Sequence, residues 1–160
     1  FEIIRMKTAT LIAACCEAGA RSVGCSEEVA KKMHRFGELV GIAFQIKDDL
    51  FDYTTSNAIG KPVGIDIKEQ KMTLPLIYSI NTANEKDKKW LINSVKRYNN
   101  DKKRVREIIQ YVKDHGGIEY TQKMMKQYSQ EALDILYEFP ENEFRNSLET
   151  MVKYVIEREK

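Results

Sequence analysis

Helical periodicity runs through almost the whole sequence and limits the folds open to this chain more than any other feature. Apolar residues recur every three or four positions, and no stretch sustains the apolar-polar alternation of a β-strand. The 160 residues include only three Pro and eight Gly, so long helices can form without interruption. The sequence therefore predicts an all-α fold with the size of one ordinary domain.

Capping residues and glycines divide this pattern into separate helices. The first helix is expected over about residues 1–20 and the second over about 26–53, with Ser26 as its cap. Residues 54–72 hold two glycines and a proline, and they predict a loop. The helices that follow are expected to start near Thr73, Asn84, Asp101, Ile118 and Phe144.

Composition excludes several other classes of protein. Apolar residues make up 42% and charged residues 31%, which suits a soluble globule better than a disordered or disulfide-rich chain. The formal net charge of +2 indicates no nucleic-acid partner, and no apolar run approaches the ~20 residues of a transmembrane helix. Three cysteines without metal-site spacing indicate a reduced, cytoplasmic compartment.

Gly37 and Gly41 lie four residues apart, on one face of the second predicted helix. Without side chains, they would let another part of the molecule approach the helix backbone closely. Close packing against a neighbouring helix and space for a ligand tail both fit this pattern. We favour close packing, because protein interiors are densely packed in general.

One stretch of the second predicted helix concentrates acids. On a helix, Gln45, Asp48, Asp49 and Asp52 fall at positions i, i+3, i+4 and i+7, which form a single stripe. The Cβ atoms of Asp48 and Asp52 would stand roughly 5–6 Å apart, and repulsion disfavours this arrangement unless a cation intervenes. Oxygen ligands without His or Cys suit a hard cation such as Mg²⁺. The alternative is an ordinary solvated acidic stripe.

Lysines before and after the acids favour a metal site over a solvated stripe. Lys61 and Lys71 follow in the predicted loop. Lys7, with Thr8 beside it, lies in the first helix among small alanines, where an unpaired buried charge would be costly. A diphosphate needs two kinds of positive charge, from metal and from lysine, around one anion. The pattern therefore predicts a magnesium diphosphate site.

Three motifs in this order and spacing resemble those of the trans-isoprenyl diphosphate (polyprenyl) synthases. The motifs are Lys7-Thr8-Ala9, then Phe44-Gln45-Ile46-Lys47-Asp48-Asp49-Leu50-Phe51-Asp52, then Gly60-Lys61-Pro62-Val63-Gly64-Ile65-Asp66 followed by Lys71-Met72-Thr73-Leu74-Pro75. The resemblance implies a helical bundle of the isoprenoid synthase type, here a C-terminal portion of about six helices. Residues 1–160 would belong to a single domain, with the motifs in 6–76 and a helical remainder in 77–160.

The resemblance also implies the reaction and the roles of individual residues. Members join an allylic diphosphate to isopentenyl diphosphate by ionisation, condensation and proton loss, and the full-length protein is expected to be a homodimer. Asp48 is expected to lead the Mg²⁺ ligands, with Asp49 and Asp52 binding directly or through water. The residues expected to take part in catalysis are Lys7, Thr8, Gln45 and Lys61. The lysines expected to hold diphosphate are Lys7, Lys61 and Lys71.

The sequence departs from the family pattern in one respect. It holds a single DDxxD motif, at residues 48–52, whereas the family has another one upstream that is followed by a pair of arginines. Phe1 opens directly into the periodic pattern without a capping residue. We therefore interpret the chain as the C-terminal portion of a longer enzyme, inactive alone. A catalytically silent partner subunit is the alternative, and a terpene cyclase or head-to-head synthase fits the motifs less well.

Overall fold

The computed structural model describes residues 1–54 and 63–158, which form helices joined by turns, without a strand in these ranges. The all-α prediction is confirmed. No helix within the described ranges is both long enough and apolar enough to span a membrane. The elements in chain order are α1 (Glu2–Ile4), a π-helical turn (Arg5–Ala9), α2 (Thr10–Ser22), α3 (Glu27–Phe51), α4 (Ile65–Lys68), α5 (Leu74–Thr82), α6 (Glu85–Arg97), α7 (Lys102–Asp114), α8 (Gly117–Tyr137) and α9 (Glu143–Glu157).

Short polar side chains begin several of these helices. Ser26, Asn84 and Asp101 each accept a hydrogen bond from a backbone amide in the first turn of the next helix, at 3.3, 2.9 and 2.8 Å respectively. Asn142 caps α9 in the same way at 2.8 Å. Each cap satisfies an amide that has no partner within its helix, and contributes about 1 kcal/mol. The predicted starts near residues 26, 84 and 101 are confirmed.

Two boundaries differ from the prediction, and burial explains the first. The second helix is expected to reach Tyr53, but α3 ends at Phe51. The chain leaves the helix there because the Tyr53 side chain is fully buried in a core. There the Tyr53 hydroxyl lies 3.2 Å from the Thr73 hydroxyl. The prediction of a loop over residues 54–72 is wrong at 65–68, where α4 forms a short helix.

The described residues divide into two compact units, and the first comprises Phe1–Lys47 together with residues 124–158. Its core joins α3 to α8 and α9. Removing a large apolar side chain from water contributes about 1.5–3 kcal/mol. The buried residues of this core are Phe36, Leu39, Val40, Ala132, Leu133, Leu136, Val152 and Val155.

The second unit comprises Asp48–Lys123 and has a separate core. This core forms where α4, α5, α6 and α7 meet, and Tyr53 enters it from just beyond the end of α3. Its buried residues are Tyr53, Ile67, Leu76, Ile80, Leu91, Val95, Val105, Ile108, Ile109 and Val112.

Helix α3 approaches the first helical segment closely at two glycines. A Cβ atom added to Gly37 would stand 2.8 Å from the Cα atom of Ala13. A Cβ atom added to Gly41 would stand 2.6 Å from the Cα atom of Ala9. Because both neighbours are backbone atoms, no side-chain rotation could relieve the overlap. The interpretation of these glycines as close packing positions is confirmed.

Gly41→Ala should therefore destabilise the protein. We expect the free energy of unfolding to fall by about 1–3 kcal/mol, since the added methyl group forces the two backbones apart. Gly19→Ala is the matched control, because a Cβ atom there meets nothing within 4 Å. The control should raise the free energy of unfolding by up to about 1 kcal/mol through helix propensity. Urea unfolding followed by circular dichroism measures both, and equal effects would contradict the close-contact explanation.

Candidate functional site

In the first unit, two of the predicted residues are in direct contact. The Thr8 hydroxyl donates a 3.0 Å hydrogen bond to Oε1 of Gln45, and both residues are half-buried. Thr8 comes from the first helical segment and Gln45 from α3. The polar pair therefore bridges the same two segments that pack together at Gly37 and Gly41.

Thr8 reaches Gln45 from an irregular turn of the first helical segment. In the π-helical turn Arg5–Ala9, the amide and the hydroxyl of Thr10 both donate to the carbonyl oxygen of Arg5, the hydroxyl at 2.8 Å. The hydrogen bond from the Thr10 amide reaches back five residues, whereas an α-helical hydrogen bond reaches back four. Such π-helical turns occur frequently at functional sites. The periodic pattern predicts one regular helix here, so the irregular turn differs from the prediction.

Lys7 lies in the same turn, and its side chain is exposed. The expectation of a charge buried among alanines is therefore wrong for this chain. Ala9 and Ala13 occupy the buried face of the segment, where neither is exposed to solvent. Lys7 is instead displayed on the outer face, where its ammonium group is accessible to an anion from solution.

In the second unit, the backbone of α4 holds the Asp52 carboxylate. Oδ1 accepts a hydrogen bond from the Ile65 amide at 2.7 Å, and Oδ2 accepts one from the Asp66 amide at 3.1 Å. The Asp52 carbonyl oxygen accepts a further bond from the Gly64 amide at 2.9 Å. Burial, and then the negative charge of Asp66, raise the pKa of Asp52, although the amides act in the opposite direction. A cation beside Asp52 would offset both causes.

Asp48 and Asp49 lie in the last turn of α3. Asp49 is only 7% exposed, and Asp48 is half-buried. Asp52 follows one residue beyond the end of the helix, so the predicted helical stripe continues into a turn. Across residues 1–54 and 63–158, no three or more His, Cys, Asp or Glu side chains converge in a group that could hold a metal ion by themselves.

Lys71, predicted to bind diphosphate, contacts carboxylates in the second unit. Its ammonium group is hydrogen-bonded to Glu69 and lies 3.8 Å from Oδ1 of Asp66. The hydrogen bond to Glu69, together with the charges of Asp66 and Asp49, raises the pKa of Lys71. Lys71 therefore carries a positive charge beside the acids at neutral pH. Lys61 lies outside the described residues.

Two residues without a predicted role, Asp66 and Tyr53, lie close to these groups. Asp66 donates its amide to Asp52 and places its carboxylate near Lys71. Tyr53 is fully buried, and this burial, with the charges of nearby aspartates, raises its pKa. Asp66 stands in one of the motifs, but no helical spacing relates it to the DDxxD acids. Tyr53 directly follows Asp52, and this position is the sequence feature from which its place near the acids could have been predicted.

Several known proteins are similar to this chain in sequence. The sequence profile of a family described as polyprenyl synthetase matches residues 1–112. Component 2 of the heptaprenyl diphosphate synthase of Bacillus subtilis is 35% identical over 156 residues, which are 97% of this chain and 44% of that protein. The chain thus spans about half the length of the curated relatives it matches.

Solved structures show the same fold. A geranylgeranyl pyrophosphate synthase from Bacteroides thetaiotaomicron matches with a TM-score of 0.88 and 39% identity, over 99% of this chain and 51% of that one. A polyprenyl synthase from Caulobacter crescentus, in complex with calcium and isoprenyl diphosphate, matches with a TM-score of 0.89 and 31% identity. That match covers 99% of this chain and 49% of the other. The expectation of an isoprenoid synthase helical fold is confirmed.

Asp52→Ala should loosen α4 selectively. The substitution leaves the amides of Ile65 and Asp66 without their acceptor, and we expect the free energy of unfolding to fall by about 1–3 kcal/mol. Hydrogen exchange at these two amides should accelerate. Asp48→Ala is the control, because these amides do not donate to Asp48. Equal exchange rates for the two amides in both variants would show that Asp52 does not hold α4.

Proposed function

The chain belongs to the polyprenyl synthetase family, and from that premise we propose that it forms the magnesium diphosphate-binding part of a trans-prenyltransferase. The whole enzyme would condense an allylic diphosphate with isopentenyl diphosphate to give a longer trans-polyprenyl diphosphate. The part carried by residues 1–160 would bind the allylic diphosphate. Relatives named as synthases of heptaprenyl and short-chain isoprenyl diphosphates support this assignment.

The junction at Asp52 is the observation that carries the proposal. Its carboxylate belongs to the DDxxD motif, and its hydrogen-bond partners Ile65 and Asp66 belong to the following motif, 13 and 14 residues away. Two motifs separated in the sequence therefore meet in the second unit. A diphosphate site needs such a meeting, because acids must hold the metal while neighbouring basic groups contact the anion.

The donor atoms at this junction fit Mg²⁺. In proteins this ion is commonly held by one or two carboxylates together with waters and substrate phosphate oxygens, and it does not require a closed cage of side chains. Asp48 and Asp49 supply carboxylates at the end of α3. Asp52 keeps further lone pairs on its oxygens after accepting the two amides. Bound there, Mg²⁺ supplies Lewis-acid stabilisation of the pyrophosphate leaving group.

The lysines would add positive charge from the protein itself. Lys7 is exposed, and Lys71 would exchange its carboxylate partners for phosphate oxygens when the anion binds. Lys61 is proposed to hold the same diphosphate. Fixed positive charge of this kind favours the transition state, in which negative charge builds on the departing pyrophosphate. Thr8 and Gln45 would be the polar neighbours of the reacting carbons.

The reaction would need no nucleophile from the protein. The allylic diphosphate ionises, the double bond of isopentenyl diphosphate attacks the resulting carbocation, and the departed pyrophosphate accepts the proton that is lost. The chain's own residues bind and orient the leaving group in this sequence of steps. The whole protein is proposed to be a homodimer that acts in the cytoplasm.

A second candidate function is that of a partner subunit without activity of its own. The single DDxxD motif in the 160 residues is compatible with this alternative, under which the remaining metal-binding acids would come from another chain. The relatives from Bacillus subtilis and Geobacillus stearothermophilus are each named as component 2 of a heptaprenyl diphosphate synthase. Under this alternative, the chain would still bind a magnesium diphosphate and would complete or regulate another chain.

Asp48→Ala should weaken the binding of inorganic pyrophosphate in the presence of Mg²⁺. We expect an increase in Kd of at least about tenfold, the usual cost of disturbing a metal site. Asp134→Ala is the matched control, because Asp134 is an exposed aspartate on α8 and its loss should leave Kd unchanged. Isothermal titration calorimetry with and without Mg²⁺ measures this. An unchanged Kd for Asp48→Ala would overturn the site assignment.

The purified 160-residue chain should not condense isopentenyl diphosphate with an allylic diphosphate. The reason is that its sequence holds one of the two aspartate-rich motifs of the family pattern. Incorporation of radiolabelled isopentenyl diphosphate into extractable product measures the reaction. The positive control is a full-length relative such as the short-chain synthase of Methanothermobacter thermautotrophicus. Product above the no-protein background would contradict the expectation that this chain is inactive alone.

A further inference from the structure

We propose that Arg158 is a positioning residue for the diphosphate site, acting through the segment of α3 that carries Gln45. This inference rests on the proposed function and adds to it a contact outside the motifs. Arg158 follows the last residue of α9. Its guanidinium group lies over the Phe44 ring, 4.0 Å from the ring centroid, and donates a 3.3 Å hydrogen bond to the Phe44 carbonyl oxygen.

A second cation makes a reciprocal contact between the same two helices. Nζ of Lys47, on α3, donates a 2.8 Å hydrogen bond to the carbonyl oxygen of Ile156, in the last turn of α9. Carbonyl groups in the last turn of a helix have no partner within it, and a cation there also interacts favourably with the helix dipole. Lys47 of α3 therefore binds a backbone carbonyl of α9, and Arg158, directly after α9, binds a backbone carbonyl of α3. We name these two contacts, of Arg158 and of Lys47, the terminal clasp.

The position of the terminal clasp on α3 connects it with function. Phe44 and Lys47 flank Gln45, which accepts the hydrogen bond from Thr8, and the helix continues from Lys47 directly into Asp48. Helix α3 ends at Phe51, and the last turns of a helix fray unless they are held. The clasp holds α3 at this point, before the chain enters the DDxxD motif.

The contact between Arg158 and the Phe44 ring is partly shielded from water. A cation over an aromatic ring is attracted to it more strongly as the pair is desolvated, and Arg158 and Phe44 are both half-buried. Groups that hydrogen-bond directly to metal ligands typically change metal affinity by about 10–100-fold when they are removed. Arg158 acts less directly, through α3, so we expect an effect at the low end of that range. Arg158 is the better residue to test, because a change at Lys47 would alter the charge directly beside Asp48.

Arg158→Gln tests the proposal against a matched control, Arg145→Gln. Arg145 lies in the first turn of α9, whereas Arg158 directly follows its last residue. The guanidinium group of Arg145 also lies over an aromatic ring, 5.7 Å from the centroid of Tyr137. It also donates to a backbone carbonyl, that of Phe139 at 3.0 Å. Both substitutions remove a contact between a cation and an aromatic ring and a hydrogen bond to a backbone carbonyl, and Arg145→Gln also removes an ion pair with Glu141 at 3.5 Å. Of the two side chains, Arg158 is the one that contacts Phe44, beside Gln45.

We expect Arg158→Gln to raise the Kd for inorganic pyrophosphate with Mg²⁺ about tenfold and to accelerate hydrogen exchange at the amides of residues 44–48. Arg158→Lys should recover part of the affinity, because it keeps the cation over the Phe44 ring. Arg145→Gln should lower the thermal stability about as much as Arg158→Gln does, but it should leave the Kd for pyrophosphate unchanged. Calorimetry is carried out at a temperature at which circular dichroism shows every variant folded.

Three other outcomes would contradict either the positioning role of Arg158 or the proposed function. If the native chain binds pyrophosphate and Arg158→Gln binds it equally well, the positioning role is overturned and the proposed function stands. If Arg145→Gln weakens binding as much as Arg158→Gln does, the effect is general destabilisation and the positioning role is again overturned. If the native chain binds no pyrophosphate with Mg²⁺, the proposed function fails for this chain, and the role of Arg158 fails with it.

Discussion

Both oxygens of the Asp52 carboxylate accept backbone hydrogen bonds, from the amides of Ile65 and Asp66. Hydrogen bonds to a charged group contribute about 1.5–3 kcal/mol each, enough to fix the start of a helix as short as α4. The next residue, Tyr53, is fully buried and lies 3.2 Å from the Thr73 hydroxyl, directly before α5. Two successive side chains therefore anchor the segments that follow in the second unit.

The surroundings of the Asp52 carboxylate disfavour its negative charge. Burial and the nearby Asp66 raise the pKa of Asp52, while Lys71 brings a compensating positive charge close to Asp66. The net charge of +2 gives no sign of this local concentration of acids and a lysine. A site for a metal and an anion depends on such local fields, because interactions between charges weaken rapidly with distance in salt solution.

Features that depend on neighbouring residues could be predicted from the sequence. Ser26, Asn84 and Asp101 cap helices because a cap needs only the amides two or three residues ahead. Gly37 and Gly41 gave a correct prediction of close packing, because a missing side chain on one helix face has few other uses.

Features set by distant contacts could not be predicted in this way. The end of α3 depends on the burial of Tyr53, and α4 depends on a carboxylate 13 residues before it. Lys7 is exposed and lies in an irregular turn that helical periodicity does not reveal. For the candidate site, the residue types were recognisable, whereas the contribution of Asp66 required the fold.

The π-helical turn at Arg5–Ala9 holds one residue more than an α-helical turn. The extra residue widens the turn, which still closes about once around the axis, so the residues on its two sides keep nearly the facing they would have in a regular helix. A single deletion here would close the turn into regular helix and alter the backbone mainly around Thr8. Elsewhere in the first segment, each residue advances the side-chain direction by about 100°, and one deleted residue would rotate everything upstream by that angle relative to α3. The irregular turn is therefore the point at which this segment can change its length and still present the same face to α3.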